Sequence, residues 1–143
     1  MRPNRTNETD TPNEMTIDHA ELIRAMPLPF LAYEAKPPYR IIDQNAAHEK
    51  VTMTKREQIM GRPFLEVFPD MSEIFKRTGK SAPIESIKKI VRTGRPDSLG
   101  EFKWDVSDKN DVRVTKYWRS TQYPIFDTAG KTVVAIFQLT EDI

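Results

Sequence analysis

Apolar and polar positions change period along this chain, and each change marks an element. Residues 112–123 and 132–140 alternate over long runs, as half-buried strands do, and 124–131 joins them as a hairpin. Residues 99–106 alternate through Phe102, Trp104 and Val106, then turn at 107–111 into the first of that pair. Upstream, 28–35 and 39–44 are β-rich runs flanking Lys36-Pro37-Pro38, which predicts two more strands. Between these groups the period becomes helical. Pro83 suits a first turn, Ile84, Ile87, Ile90 and Val91 share one face, and Gly94-Arg95-Pro96 ends the longest helix. Shorter helices are predicted at 46–52 behind an Asn45 cap, after a Thr54 and Glu57 capping box closed by Gly61, and at 63–68. Residues 71–81 read as a loop holding one helical turn at most. Asp18 with Glu21 caps a short N-terminal helix whose apolar stripe is Leu22, Ile23 and Met26, and Pro27 stops it. Residues 1–15 have no hydrophobic period and are expected to be a disordered tail, which leaves 16–143 as the folded domain.

The resulting order is helix, two strands, several short helices, one longer helix, three strands. That is α+β with a five-stranded antiparallel sheet and short helices on one face. In 132–140 both faces are apolar, with Val133, Ala135, Phe137 and Leu139 on one side and Val134 and Ile136 on the other. Antiparallel sheets with a wet face alternate cleanly, so cover is expected on both sides. The middle helices supply one layer; the N-terminal helix, a second subunit, or both supply the other.

Composition narrows the function. At 143 residues the chain makes one domain with room for a core and an internal cavity. Lys and Arg number 22 against 21 Asp and Glu, so no overall field would hold nucleic acid or an anionic membrane. There is no cysteine, which removes disulfides, thiolate metal sites and cysteine nucleophiles. No apolar run approaches the ~20 residues that span a bilayer and nothing resembles a signal peptide, so a cytoplasmic location is expected. No phosphate loop, metal-ligand cluster or nucleophile elbow appears, and no catalytic or metal-binding residue is assigned.

A set of short motifs in a fixed order carries a resemblance. They are Ile42-Asp43-Gln44-Asn45-Ala46-Ala47, Thr52-Met53-Thr54-Lys55-Arg56-Glu57, the stretch from Gly61 through Val67-Phe68-Pro69-Asp70, Thr93-Gly94-Arg95-Pro96-Asp97, Tyr117-Trp118, Pro124-Ile125-Phe126-Asp127 with Gly130, and the closing Glu141-Asp142-Ile143. With these, the chain from about residue 21 to 143 resembles a PAS domain, the sensory module of bacterial histidine kinases and other signalling proteins. The closing triplet is similar to the family's Asp-Ile-Thr signature, which links the last strand to the helix entering the output domain; the Thr is missing because the chain ends one residue early. The resemblance implies an N-terminal piece of a two-component sensor histidine kinase, with kinase domains downstream in the same chain and Asp142 and Ile143 as the transmission point.

Small ligands of such a domain sit between the curved sheet and its helices. Tyr33, Phe64, Trp104 and Trp118 are the aromatic residues expected nearest that cavity, although core filling is the plainer role for any single one. Trp118 shares a strand face with Val112 and Val114 and should point inward, and Ser120 and Gln122 on the same face could orient a ligand. No cofactor is named. Haem-binding relatives would carry an axial histidine on the longer helix, where 84–93 has none, and His48 is read as a polar helix-face residue. Chromophores attached through cysteine are excluded by composition. Leu22, Ile23 and Met26, with outward residues of the last strand, are the expected contact of an isologous homodimer. Two other readings stay open: a ligand-free interaction module with a filled core, and a small cone-shaped α+β isomerase or hydrolase. A buried carboxylate or histidine with a shifted pKa on a deep pocket would favour the enzyme.

Overall fold

The structure is a computed structural model that describes residues 16–107 and 110–143, with the backbone alone described at 104–107. The expected tail at 1–15 lies outside the described residues. In chain order the elements are α1 (His19–Ala25), β1 (Phe30–Glu34), β2 (Ile41–Gln44), α2 (Ala46–Thr52), α3 (Arg56–Ile59), α4 (Phe64–Val67), α5 (Glu73–Thr78), α6 (Ala82–Thr93), β3 (Asp97–Ser107), β4 (Arg113–Phe126) and β5 (Val133–Asp142). The strands form one sheet in the order β2-β1-β5-β4-β3, every neighbouring pair antiparallel. The chain thus crosses from the β1–β2 hairpin through its helices to the far edge and returns to end in the centre.

Local chemistry explains most boundaries. Asp18 accepts from the Ala20 amide and Asn45 from the His48 amide, each satisfying a donor that the first helical turn leaves open. Gly94 ends α6 at φ 71°, a left-handed conformation that a Cβ would strain. Between Thr54 and Glu57 the expected capping box is absent. Lys55 is the N-cap of α3, without a side-chain bond, because Thr54 is drawn instead to the Gln44 amide at 2.7 Å. Residues 73–78 form α5, capped by Ser72 and ended by Gly79, somewhat longer than the single helical turn that the sequence allowed within a loop there. None of its residues is buried, which is why no apolar period announced it.

The core lies between the sheet and the helices. Ile84, Ile87 and Ile90 of α6 meet Leu31 and Tyr33 of β1, Ile136 of β5, and Phe64 and Ile59 from the short helices. Each such side chain contributes about 1.5–3 kcal/mol on leaving water. The alternation in β5 is broken by one extra residue: Ile125 pairs with Ala135 but Phe126 with Val133. Val133 therefore joins the core cluster with Ile136, and Val134, the bulged residue, is 47% exposed. This corrects the simple two-faced reading of that strand. Val112 and Val114 share the parity of Trp118 yet are exposed. On the outer face Phe137 stacks on both Phe30 and Tyr123, while Tyr117 and Ile125 stand open. α1 lies against α2, and Asn45 fixes the connection by donating to the carbonyls of Met26 and Leu28.

Candidate functional site

A cavity of about 500 Å³ opens between the sheet and the helices. Its floor is the inner face of β1, β5, β4 and β3, through Leu31, Gln138, Thr140, Trp118 and Phe102. α2 supplies His48, Val51 and Thr52, and α4 with the segment after it supplies Phe64, Leu65 and Phe68. The stretch 69–72 and the start of α6 complete the wall. The lining is mainly aromatic and aliphatic with a few polar groups, the usual character of a small-molecule site.

Phe64 and Trp118 both line the cavity. Tyr33 stands behind the wall: its ring meets Phe64 edge-on at 4.7 Å and its hydroxyl accepts from Gln138 at 3.4 Å. Burial pushes that hydroxyl far above its ordinary pKa, so it stays protonated. Ser120 and Gln122 are fully buried on the inner face and lie one bond away from the cavity. Ser120 shares a 2.7 Å hydrogen bond with Thr140. Gln122 accepts from Gln138 at 3.3 Å and donates to the Pro83 carbonyl at the start of α6, so one polar chain ties β5 to β4 and to the longest helix. Trp104 keeps its register place opposite Lys116, but its side chain lies outside the described residues.

His48 was read from sequence as a helix-face residue, and the structure corrects this: it is 6% exposed and belongs to the cavity wall. Its ring meets Phe68 edge-on at 5.6 Å. Gln44, four residues upstream and fully buried, places its Nε2 2.8 Å from His48 Nδ1 and 2.7 Å from Thr54 Oγ1. The Gln44 Oε1 is buried without a hydrogen-bond partner. Burial lowers the His48 pKa to about 4, because desolvation penalises the imidazolium, so the ring is neutral at pH 7. The only sequence signal for this residue was its place three positions after Asn45, which caps α2 and so turns His48 inward. No apolar period marks it, since it is a polar residue on the buried side.

Charge is sparse here. Asp70 is half-buried beside the cavity; burial opposes its ionisation, but hydrogen bonds from Ser72 prevail and hold its carboxyl below the usual range. Lys103 is exposed and, like its neighbour Phe102, lines the cavity. Among the described residues, no group of three or more His, Cys, Asp or Glu could hold a metal ion.

The cavity floor is wired to the end of the chain. Trp118 is the register partner of Asp142, Lys116 Nζ sits 5.8 Å from the centre of the Trp118 ring, and the same ammonium pairs with the Asp142 carboxylate. Arg119, on the outer face, bridges Glu101 and Glu141. The Ile143 amide donates to the Tyr117 carbonyl at 3.0 Å, so the chain remains on the sheet to its last residue.

No family model matches the sequence, and no curated protein matches it either. Solved structures do. A PAS domain from Colwellia psychrerythraea is 17% identical and aligns over 87% of this chain and 93% of its own, with a TM-score of 0.59. A sensory box sensor histidine kinase from Vibrio cholerae is 18% identical over 87% of this chain and 88% of its own, with a TM-score of 0.55. The PAS domain of Bordetella pertussis BvgS is 18% identical over 87% of this chain and 83% of its own, with a TM-score of 0.60. No helix among the described residues is long and apolar enough to cross a membrane. Five antiparallel strands in the order β2-β1-β5-β4-β3, short helices crossing one face above a cavity, and solved PAS domains superposing on most of its length together give this chain the PAS fold.

Proposed function

We propose that the chain is a sensory module that binds a small molecule in its cavity and passes the bound state to an output domain through the end of β5. The observation that carries this reading is the cavity itself. A half-open, mainly apolar pocket of about 500 Å³ is of the size and lining that hold small organic ligands. The route outward is supported by Trp118, which touches the cavity and reaches Asp142 through Lys116, and by Thr140, which lines the cavity two residues before Asp142. A ligand shifts this exit only by binding one arrangement better than another. The sensor histidine kinase among the similar structures suggests the output: a kinase region in the same polypeptide, in a bacterial two-component pathway of the cytoplasm. Pairing of two copies through Leu22, Ile23, Met26 and the outer face of β5 would bring two such outputs together.

His48 also offers an observation that an isomerase or hydrolase would use, a buried histidine of shifted pKa on a half-open pocket. Its Nδ1 is held by an amide rather than a carboxylate, and a base with a pKa near 4 takes protons poorly at pH 7. We therefore read the domain as non-catalytic. Native mass spectrometry of the purified protein, with an absorption spectrum and a thermal-shift screen of small metabolites, tests the sensory reading. A co-purifying molecule or a stabilising metabolite is expected. Failure of every compound, together with a stable dimer, would instead favour a ligand-free interaction module, which the exposed Tyr117 and Ile125 of the outer face would suit.

A further inference from the structure

The chemistry of the wall says which class of molecule the cavity can hold, provided that it is a ligand site as proposed above. With the Gln44 amide nitrogen placed toward His48, it donates to Nδ1, and a neutral imidazole that accepts there carries its single proton on Nε2. Among the described residues that Nε2 has no protein partner, and it is not among the fully covered unpartnered atoms, so it keeps accessible surface. His48 itself is more than nine-tenths buried, and the cavity is where it meets open space. A molecule entering the cavity that displaces water from this donor keeps the hydrogen bond only if it brings an acceptor of its own. Around it the wall is Phe64, Phe68, Phe102 and Trp118, whose faces suit a flat, apolar frame. No arginine lines the space, and its two charged groups, Lys103 and Asp70, are opposite in sign, so an ionised ligand would give up its water without a net compensating charge from the wall.

We infer that the cavity takes an uncharged, flat, mainly apolar molecule bearing a hydrogen-bond acceptor, and that His48 Nε2–H donates to that acceptor.

Fluorescence titration with two aromatic probes tests this. Prodan is neutral and carries a ketone acceptor on a naphthalene frame; 8-anilino-1-naphthalenesulfonate is of similar size and anionic. Prodan should bind one per chain and at least tenfold more tightly than the sulfonate. His48→Phe should weaken prodan about fivefold, the net worth of one hydrogen bond, and shift its emission to the blue, while His48→Gln, which keeps a donor, should restore most of the affinity. Equal affinity for the two probes, or no change with His48→Phe, would overturn the inference and leave the sensory reading standing. If neither probe binds the unaltered protein, both fail together. Should the variants not fold, the imidazole Nε2–H resonance of the unaltered protein provides the same decision: prodan must shift it, and an unmoved signal refutes the contact.

Discussion

At the scale of single residues, His48 decides the acid behaviour of the domain. Its folded pKa of about 4 lies below the ordinary 6.5, so the unfolded chain binds a proton that the folded one refuses between those values. Stability from this group is complete above about pH 6.5, falls as the pH drops to about 4, and is level below; the whole span is worth about 3 kcal/mol. The lowered carboxyls of Asp70 and Asp97 act only below that window, since their stabilisation is lost as pH falls through the ordinary carboxylate range and beyond. Urea denaturation across pH 4–7 should therefore slope steeply for the unaltered protein, and His48→Gln should flatten that slope; an unchanged slope would contradict the burial of the ring. A second residue of this kind is Gly94. A Cβ there would only graze Phe126 at 3.6 Å, but φ 71° is the left-handed region, so Gly94→Ala should cost about 1 kcal/mol through backbone strain alone. Gly94 and the Asn45 cap were legible in the sequence because their requirement is local. The burial of His48 was not, because it depends on Phe68, twenty residues away, packing against the ring.

At the scale of elements, α6 and α5 are opposites. α6 buries Ile84, Ile87 and Ile90 against the sheet, and Ile87→Ala should cost about 2–5 kcal/mol in chemical denaturation, with the upper part of that range expected if the site does not collapse. α5 buries nothing, so its amides should exchange with solvent much faster than those of α6; equal protection in hydrogen-exchange measurements would argue that a missing partner holds it. The same contrast explains what the pattern could predict. The 3.6-residue period of α6 is imprinted by the sheet it packs on, whereas α5 has no packed face to imprint one. Likewise the strands were readable from alternation, but the bulge at Val134 was not, because it is defined by pairing with Ile125 and Phe126 of the neighbouring strand.

At the scale of the whole molecule, the proposed dimer is open to a direct test. Leu22 is 57% exposed on a helix with no buried residue, so Leu22→Asp should leave the thermal midpoint unchanged while lowering the mass seen by light scattering from dimer to monomer. A variant that stays dimeric would move the contact to the outer sheet face, where Tyr117 and Ile125 stand open. The sequence by itself determined the class of the fold, the number and order of the strands, the inward face of β4 with Trp118, Ser120 and Gln122, and the lack of thiol chemistry. These follow from period, capping and composition, which act over a few residues. Only the tertiary structure decided that a cavity of about 500 Å³ remains, that Ser120 and Gln122 serve as its supports rather than its surface, and that His48 is one of the polar groups at its wall. Those properties arise where β1, β4, β5, α2 and α4 converge from distant parts of the chain, and the volume left between packed elements is written in no one segment.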